Sequence, residues 1–393
     1  MPDPLAPLQV PRRLLMGSGP SNPEWRVLQA MAAAPLAADD PAAVEVLETV
    51  AGLCRRIFQA APDSNGLAVP GASRSGLEAA IASLIQPGDR VLVGVYGHFG
   101  ELLCTLAARH GAAVERLEAD WGQPVDPDAF AAHVRARPPR LAAIVHADTS
   151  TGVLQPLEPI GRACRDMNVL LLVDAVLSLG GCEVDTRAWN VDATVAGLQK
   201  CLGGPPGLAL MALSPAAVAS FRPRPATAYL DLARMVHVWR SARDHAATEL
   251  STSMLLAARE ALGIVLDEGL EERWARHLAA SRALRAGIDA MGLQRFGNRQ
   301  SQVPMITLVH VPDGIDEAGV REQLLMEHGI EIMAAFGPLR GRVWRIGTMG
   351  TNACLPSVLA VLSGLEAVLT SRGCALPRGA AVDAAREVSL QRL

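Results

Sequence analysis

The feature that most constrains the fold of this chain is a regular alternation of apolar runs with helical segments between residues 66 and 213. The run at 169–174 is apolar enough to be buried on both faces, as the strands of a parallel sheet are. Parallel strands need crossover connections, which the helical segments supply. The pattern therefore predicts an α/β fold with an open, mostly parallel sheet between helices. The predicted strands are a short one from 66, then 90–94, 113–117, 141–146, 169–174, 191–198 and 208–213, and the predicted helices are 77–85, 99–110, 127–137 and 156–167.

The alternation stops near residue 215, and the rest of the chain predicts a different organisation. A proline- and arginine-rich segment at 215–250 precedes long helices and a smaller α+β unit. We therefore expect an N-terminal arm (1–23), a large domain (24–267) and a small C-terminal domain (268–393); a chain of 393 residues is long enough to give each domain its own core. The elements predicted in this region are helices at 251–266, 268–291, 316–327 and 355–371 and strands near 305–310, 330–334 and 342–346.

Composition argues against several functional classes. The net charge is −4 at pH 7 with no basic stripe, which argues against a nucleic-acid binder. Charged residues interrupt every apolar run before 18 residues, so no transmembrane helix is predicted. The seven cysteines are scattered without a C-x-x-C pair, so neither disulfides nor a metal site is expected. Because the N-terminal residues also lack the pattern of a secretory signal, we expect a cytoplasmic protein.

Lys200 is the only lysine in the chain, since the other 35 cationic residues are arginines. Arginine keeps its proton in proteins and cannot attack a carbonyl group, whereas a lysine with a lowered pKa can. Lys200 follows an apolar run at 191–198 and precedes a glycine-rich turn at 203–207. Active-site residues lie at such strand–turn junctions in α/β sheets. We therefore interpret Lys200 as a Schiff-base lysine; the alternative is a surface lysine that persists by chance.

Four further segments lie in loops or at the ends of predicted strands, namely 71–76, 96–99, 146–152 and 174–176. Strand ends in a parallel sheet converge on one crevice, so these segments should meet Lys200 there. The first of them opens a predicted helix, and the backbone amides of a helix N-terminus can bind an anion. The sequence thus predicts one site at the carboxyl edge of the sheet.

This set of residues matches the requirements of pyridoxal 5'-phosphate (PLP). Its aldehyde needs Lys200, and its phosphate needs the turn at 71–76. Its pyridine nitrogen needs an anion to stay protonated, and Asp174 closes an apolar strand. Phe99 offers an aromatic face, and Thr149 offers a donor to the phenolic oxygen. Taken singly, each has a structural alternative: a helix cap for the turn, a cap or ion pair for Asp174, and core packing for Phe99.

Several segments carry a resemblance to a known family. They are 146–156 (HADTSTGVLQP), 174–181 (DAVLSLGG), 197–200 (GLQK) and 344–350 (WRIGTMG). They closely resemble the class V, fold-type I aminotransferases, and within these the alanine–glyoxylate and (S)-ureidoglycine–glyoxylate group. The resemblance runs from about residue 14 to residue 371. The ureidoglycine branch is suggested by 71–79 (GASRSGLEA), 99–104 (FGELLC) and 119–122 (ADWG).

The resemblance implies roles for individual residues. Lys200 would form the Schiff base, and Asp174 would pair with the pyridinium nitrogen. Thr248 would reach the phosphate of the neighbouring subunit in a homodimer. The other residues implied to contact the cofactor are Ala72, Ser73, Arg74 and Gln199 at the phosphate, Thr149 at the ring oxygen, and Phe99 and Val176 on the two ring faces. The residues implied at the substrate are Arg345, which would clamp its carboxylate, and Gly19, Ala38 and His245.

Two departures from the family pattern bear on substrate choice. The family's His-His-Thr segment is matched by His245-Ala-Ala-Thr-Glu249, which keeps the threonine and loses both histidines. Ureidoglycine enzymes carry a glutamine and an asparagine where this chain has Ala38 and His245. A buried ureido group without partners costs about 1–3 kcal/mol for each unsatisfied group. We therefore expect a small donor such as alanine or serine to be used at least as well as ureidoglycine.

The expected activity is ping-pong transamination, in which the amino group of a small amino acid passes to glyoxylate or pyruvate. Lys200 would move the proton at Cα while Asp174 keeps the cofactor ring an electron sink. Two alternatives stay open. One is a PLP-dependent lyase on the same fold, such as a cysteine desulfurase, for which Cys354 is the nearest candidate. The other is a PLP-binding protein without turnover.

Overall fold

The structure is a computed structural model that describes residues 9–37, 40–241 and 250–390. Its strands, in chain order, are β1 Leu14–Leu15, β2 Asn65–Pro70, β3 Arg90–Val95, β4 Ala113–Glu118, β5 Leu141–Val145, β6 Ala147–Asp148, β7 Val153–Leu154, β8 Leu170–Asp174, β9 Ala193–Gly197, β10 Leu208–Leu213, β11 Ile306–His310, β12 Ile330–Glu331, β13 Met333–Ala334 and β14 Val343–Gly347. Its α-helices are α1 Trp25–Met31, α2 Pro41–Ile57, α3 Ser73–Leu84, α4 His98–Arg109, α5 Pro127–Ala136, α6 Glu158–Asp166, α7 Pro215–Ala219, α8 Leu232–Ser241, α9 Thr252–Glu268, α10 Leu270–Ala290, α11 Glu317–His328, α12 Leu355–Ser371 and α13 Ala380–Leu390.

The central sheet has seven strands in the order β2-β10-β9-β8-β5-β3-β4. The strands β9, β8, β5, β3 and β4 are parallel to one another, and β10 runs antiparallel to both β2 and β9. Every residue of β5, β8, β9 and β10 is buried, as strands covered on both faces should be. The predicted mostly parallel α/β sheet is confirmed. Within the described ranges, no helix is long and apolar enough to cross a membrane.

Helix α3 begins at Ser73, earlier than the sequence pattern predicts, and this places its N-terminus directly at the end of β2. Gly71 turns the chain with a φ of +102°, a value that favours glycine. The Ser75 hydroxyl then donates to the Pro70 carbonyl at 2.9 Å and to the Ala72 carbonyl at 2.6 Å, which closes the turn. The prediction of a helix from Leu77 was therefore late by one helical turn.

Two helices lie in the proline- and arginine-rich segment that follows the sheet, where the sequence pattern predicted none. Ser214 caps α7 by accepting from the amide of Ala217 at 3.0 Å, and Pro215 occupies the first helical position. Helix α8 buries an apolar face that includes Met235 and Trp239. Its pattern is visible in the sequence but lies among turn-forming residues that obscure it.

The buried apolar side chains form two large clusters and a smaller one. The first surrounds the central sheet, and the second is built from α10–α13 with β11 and β14. The smaller cluster joins them, because Leu177 and Cys201 pack there with Met305, Leu308 and Met349. The segment before α1 also links the two parts, since β1 pairs with β12 in parallel. The arm is thereby directed across the carboxyl edge of the central sheet.

Candidate active site

A cavity of about 160 Å³ lies at the carboxyl edge of the central sheet. Nine of its twelve lining residues were predicted from the sequence as cofactor contacts: Ala72, Ser73, Arg74, Phe99, Thr149, Asp174, Val176, Gln199 and Lys200. The other three are Val145, Ala147 and Leu177, which the sequence analysis missed. All three are apolar neighbours of predicted site residues, so the strand ends that supply the polar groups also supply the apolar wall.

Lys200 lies in the turn that follows β9. Its Nζ donates a hydrogen bond to the carbonyl oxygen of Ser18 in the N-terminal arm. Burial, which is the largest effect, and the charge of Arg345 together lower the pKa of Lys200 to about 8, although Cys201 and Asp174 act to raise it. A substantial fraction of the amine is therefore neutral near pH 8 and can act as a nucleophile or a base.

Gly19 lies against the Lys200 side chain. A Cβ atom at residue 19 would lie 2.5 Å from Nζ and 2.6 Å from Cδ of Lys200. Gly19 also has a φ of +109°, which L-residues rarely adopt. The resemblance implied a substrate contact for Gly19, and the structure places this residue where the arm covers the lysine.

Asp174 closes β8 and is 3% exposed. Its Oδ1 accepts a hydrogen bond from the amide of Val176 at 2.9 Å. Burial, which is the largest effect, and the charge of Asp148 raise the pKa of Asp174 to about 7 against the opposing effects of the Val176 hydrogen bond and Lys200. A cationic N–H group inside the cavity would compensate for this burial and hold Asp174 in its charged form.

Asp148 is a buried carboxylate to which the sequence analysis gave no role. Its Oδ1 accepts from the amide of Ser150 at 2.7 Å and from the Ser150 hydroxyl at 2.6 Å, and its Oδ2 accepts from the amide of Phe99 at 3.3 Å. The Ser150 hydroxyl also accepts from the amide of His98 at 2.9 Å. These bonds tie the Phe99 turn to the loop that carries Thr149. The sequence contains a local signal for this role. An aspartate after a strand often accepts from the amide two residues later in an Asx turn, as Asp148 does from Ser150.

The N-terminus of α3 forms an anion-binding end of the cavity. Ala72 occupies the N-cap position without a side-chain cap, so the first amides of the helix are not satisfied by a capping oxygen. The Gln199 Nε2 atom lies 3.5 Å from the hydroxyl of buried Ser73. The Oε1 atom of Gln199 is buried and has no hydrogen-bond partner among the described residues. Arg74 is exposed at the same helix end.

Arg345 lies in β14 and is 3% exposed. Its Nε donates to the Ala334 carbonyl at 2.8 Å and its Nη1 to the Thr149 carbonyl at 3.3 Å. Its Cζ atom lies 4.3 Å from the ring centroid of Phe336. Burial lowers the pKa of Arg345 to about 10, which still leaves the guanidinium charged at neutral pH. Arg345 is outside the set of lining residues, and its charge reaches the cavity, since it lowers the pKa of Lys200.

Three predicted site residues, Ala38, His245 and Thr248, lie outside the described residues. Cys354, the candidate of the lyase alternative, occupies the N-cap position of α12, with its Sγ 3.2 Å from the hydroxyl of Ser357. It does not line the cavity that contains Lys200.

Comparison with known proteins identifies the family. The family model described as "Aminotransferase class-V" matches residues 39–339. The (S)-ureidoglycine–glyoxylate transaminase of Bacillus subtilis (strain 168) is 40% identical over 405 residues, covering 97% of this chain and 96% of the relative. The alanine–glyoxylate aminotransferase of Drosophila melanogaster is 36% identical over 384 residues, covering 95% of this chain and 97% of the relative.

The fold agrees with this assignment. The crystal structure of ureidoglycine–glyoxylate aminotransferase from Bacillus subtilis superimposes with a TM-score of 0.93 at 41% identity and covers 98% of this chain and 100% of that one. The sequence prediction of a transaminase is therefore confirmed, and these relatives favour it over a lyase or a protein without turnover. The chain belongs to the class V aminotransferase family.

Proposed function

We propose that this protein is a PLP-dependent transaminase that moves the amino group of a small amino acid to glyoxylate or pyruvate. The observation that carries the proposal is a single cavity lined by Lys200, Asp174 and the uncapped N-terminus of α3. An amine with a lowered pKa, a buried carboxylate that forms no ion pair among the described residues, and an anion-binding helix end match the three polar regions of PLP.

The residues around the cavity fit this cofactor. Lys200 would hold the aldehyde, and Asp174 would hold the ring nitrogen with the carboxylate oxygen not bonded to Val176. The Nε2 atom of Gln199 lies 3.5 Å from the Ser73 hydroxyl, so a side-chain N–H donor is available at the phosphate end. The remaining contacts would come from Ala72, Ser73 and Arg74 at the phosphate, Thr149 at the ring oxygen, and Phe99 and Val176 at the ring faces.

The chain's own residues would bind the substrate and move its proton. When bound, PLP supplies an electron sink for the negative charge that develops at Cα of the amino acid. The neutral Nζ of Lys200 would accept the proton from Cα of the amino donor in the first half-reaction and would donate a proton to Cα of the product amino acid in the second. The Arg345 guanidinium holds the substrate carboxylate; within the described part of the chain its Nη2 makes no hydrogen bond. Ser18 and Gly19 cover Lys200 and limit access of water.

The proposed assembly is a homodimer in the cytoplasm. The family resemblance assigns Thr248 to the phosphate of the neighbouring subunit, which requires the active site to lie at a subunit interface. We also propose the division into an arm (1–23), a large domain (24–267) and a small domain (268–393). The separate apolar clusters around the central sheet and around α10–α13 support this division.

For the amino donor we propose alanine or serine. One relative is a transaminase of ureidoglycine and another of alanine, both with glyoxylate. Ala38 and His245 replace the amide pair expected in ureidoglycine enzymes, so the ureido group would lose hydrogen bonds at this site. The test compares kcat/KM for alanine, serine and ureidoglycine with saturating glyoxylate. A preference for ureidoglycine above about a hundredfold, about 2.7 kcal/mol, would show that other residues recognise that group.

The test of the proposed function is substitution of the unique lysine. Lys200→Ala should fold and bind PLP weakly, but should lose essentially all transamination and the cofactor absorbance change on addition of an amino donor. Lys200→Arg should do no better, because a guanidinium does not release its proton. Cys354→Ser is the control and should keep full activity. Substantial transamination by Lys200→Ala would refute the assignment, and loss of activity in Cys354→Ser would favour the lyase alternative.

A further inference from the structure

An aromatic cluster lies beside the buried guanidinium of Arg345. The imidazole of His98 stacks on the ring of Phe336, with centroids 4.4 Å apart and planes 20° apart. The Arg345 Cζ atom lies over the same Phe336 ring, 4.3 Å from its centroid. Phe99 meets both His98 and Phe336 edge to face, at 5.2 Å and 6.1 Å. Phe336 therefore contacts the guanidinium and the imidazole with one ring.

The cluster joins two parts of the chain that are far apart in sequence. His98 begins α4 at the carboxyl end of β3, and its amide is fixed by the Ser150 hydroxyl at 2.9 Å. Phe336 and Arg345 belong to the C-terminal sheet region, where Arg345 pairs across the strands with Leu308 and Met333. The imidazole is thus a side chain at the start of α4 that packs against a ring on the other side of the site.

The surroundings of His98 favour a neutral imidazole. Partial burial is the largest effect and lowers the pKa of His98, and the charges of Arg74 and Arg345 lower it further. Asp148 and Glu101 act in the opposite direction without reversing the shift. A neutral ring stacks on Phe336 without placing a second cation beside the guanidinium. The stack therefore leaves the attraction between Phe336 and Arg345 intact.

We propose that His98 is a positioning residue for substrate binding, which holds Phe336 against Arg345 and so fixes the guanidinium that receives the substrate carboxylate. The inference rests on the proposed role of Arg345. Nε and Nη1 are anchored on backbone carbonyls, but these two bonds leave the guanidinium free to tilt about them. The Phe336 face restricts that tilt, and the His98 ring restricts Phe336. Both substrates of a transaminase carry a carboxylate, so a looser guanidinium should weaken the binding of both.

The experiment uses the PLP-loaded enzyme and three variants of His98. His98→Ala and His98→Leu should each raise the KM of the amino donor and of the oxo acid about three- to tenfold, with kcat within about twofold of the unsubstituted enzyme. Leucine keeps much of the side-chain volume, so it tests stacking even where alanine disturbs folding. His98→Phe restores an aromatic face and should return both KM values to within about twofold.

The controls separate this inference from a general structural effect. His310→Ala removes an imidazole that meets Phe296 edge to face at 5.7 Å, and it should leave both KM values unchanged. Arg345→Lys is assayed alongside and should raise both KM values, because a point charge cannot replace the planar fork. Unchanged KM values in His98→Leu, equal impairment in His98→Phe, or an equal rise in His310→Ala would each overturn the role of His98. Unchanged KM values in Arg345→Lys would overturn the carboxylate clamp as well.

Discussion

Gly19→Ala should displace the catalytic lysine without changing any group that takes part in the chemistry. A Cβ atom at residue 19 would lie 2.5 Å from Nζ, 2.6 Å from Cδ and 2.8 Å from Cε of Lys200. Ordinary contact begins near 3.4 Å, so either the arm or the lysine must move by about 1 Å. A displacement of that size at a reacting group costs on the order of 10²-fold in rate. We therefore expect kcat to fall on the order of 100-fold in the PLP-loaded variant.

The same substitution has a backbone cost that must be measured separately. Gly19 has a φ of +109°, and an L-residue held in such a sparsely populated region costs on the order of 1–3 kcal/mol. Gly314→Ala is the matched control, because Gly314 has a φ of +76° and a Cβ atom there would have no heavy atom within 4 Å. Gly19→Ala should lose at least as much stability as Gly314→Ala in urea unfolding, because it adds the overlap with Lys200 to the backbone cost. Only Gly19→Ala should lose activity.

A second control tests crowding on the arm away from the lysine. At Gly17, a Cβ atom would lie 2.7 Å from Cγ of Met333, whose flexible side chain can move aside. Gly17→Ala should therefore keep kcat within a few-fold of the unsubstituted enzyme. If Gly19→Ala keeps full kcat while folded, the close approach of the arm to Lys200 has no catalytic role. If Gly314→Ala or Gly17→Ala loses activity equally, the loss does not come from displacement of the lysine.

The remaining predictions concern the two titratable groups of the cavity. Asp174→Asn should bind PLP but lose several orders of magnitude in kcat. Near-normal turnover would show that a residue other than Asp174 pairs with the pyridinium nitrogen. Burial raises the pKa of Asp174 to about 7 in the cofactor-free protein. The contribution of Asp174 to the free energy of unfolding should therefore fall as the pH rises from about 4 through 7. Thermal unfolding of Asp174→Asn should lack that fall. Capture of PLP by the cofactor-free protein, trapped with borohydride, should rise with pH with a midpoint near 8, because the neutral amine of Lys200 reacts; a midpoint near 10.5 would contradict the lowered pKa.

The sequence predicts the sheet because its strands are marked by composition. The run of β5 is apolar throughout, and β2, β3 and β4 are each followed directly by a helix, so strands and crossover helices can be predicted together. The direction of β10 was left open, although the sequence contains a signal for it. The connection between β9 and β10 runs only from 198 to 207, too short for a parallel crossover, and β10 is antiparallel to β9.

The cavity could be predicted because its main polar residues lie at strand ends, but the contacts that hold these residues in place could not. Asp174 ends β8 and Lys200 lies in the turn after β9, so the sheet alone brings them to one edge. By contrast, the stack of His98 on Phe336 joins residues separated by more than half of the chain. Asp148 reaches the Phe99 amide only because Gly97 leaves room, since a Cβ atom there would lie 2.5 Å from Oδ2. Such contacts depend on how distant loops pack against each other in the folded protein, which a local sequence pattern does not indicate.

The packing around residue 200 explains why this position holds the single lysine of a chain with 35 arginines. Residue 200 is surrounded by Gly19 of the arm, by Arg345 from the other side of the site and by the buried end of the cavity. A bulkier guanidinium would collide with the arm, would add a permanent second cation near Arg345, and would have no neutral form at working pH. Burial and the charge of Arg345 destabilise the charged form of the lysine, and its pKa is therefore lowered to about 8. The features that exclude arginine from residue 200 are therefore the ones that make a lysine reactive there.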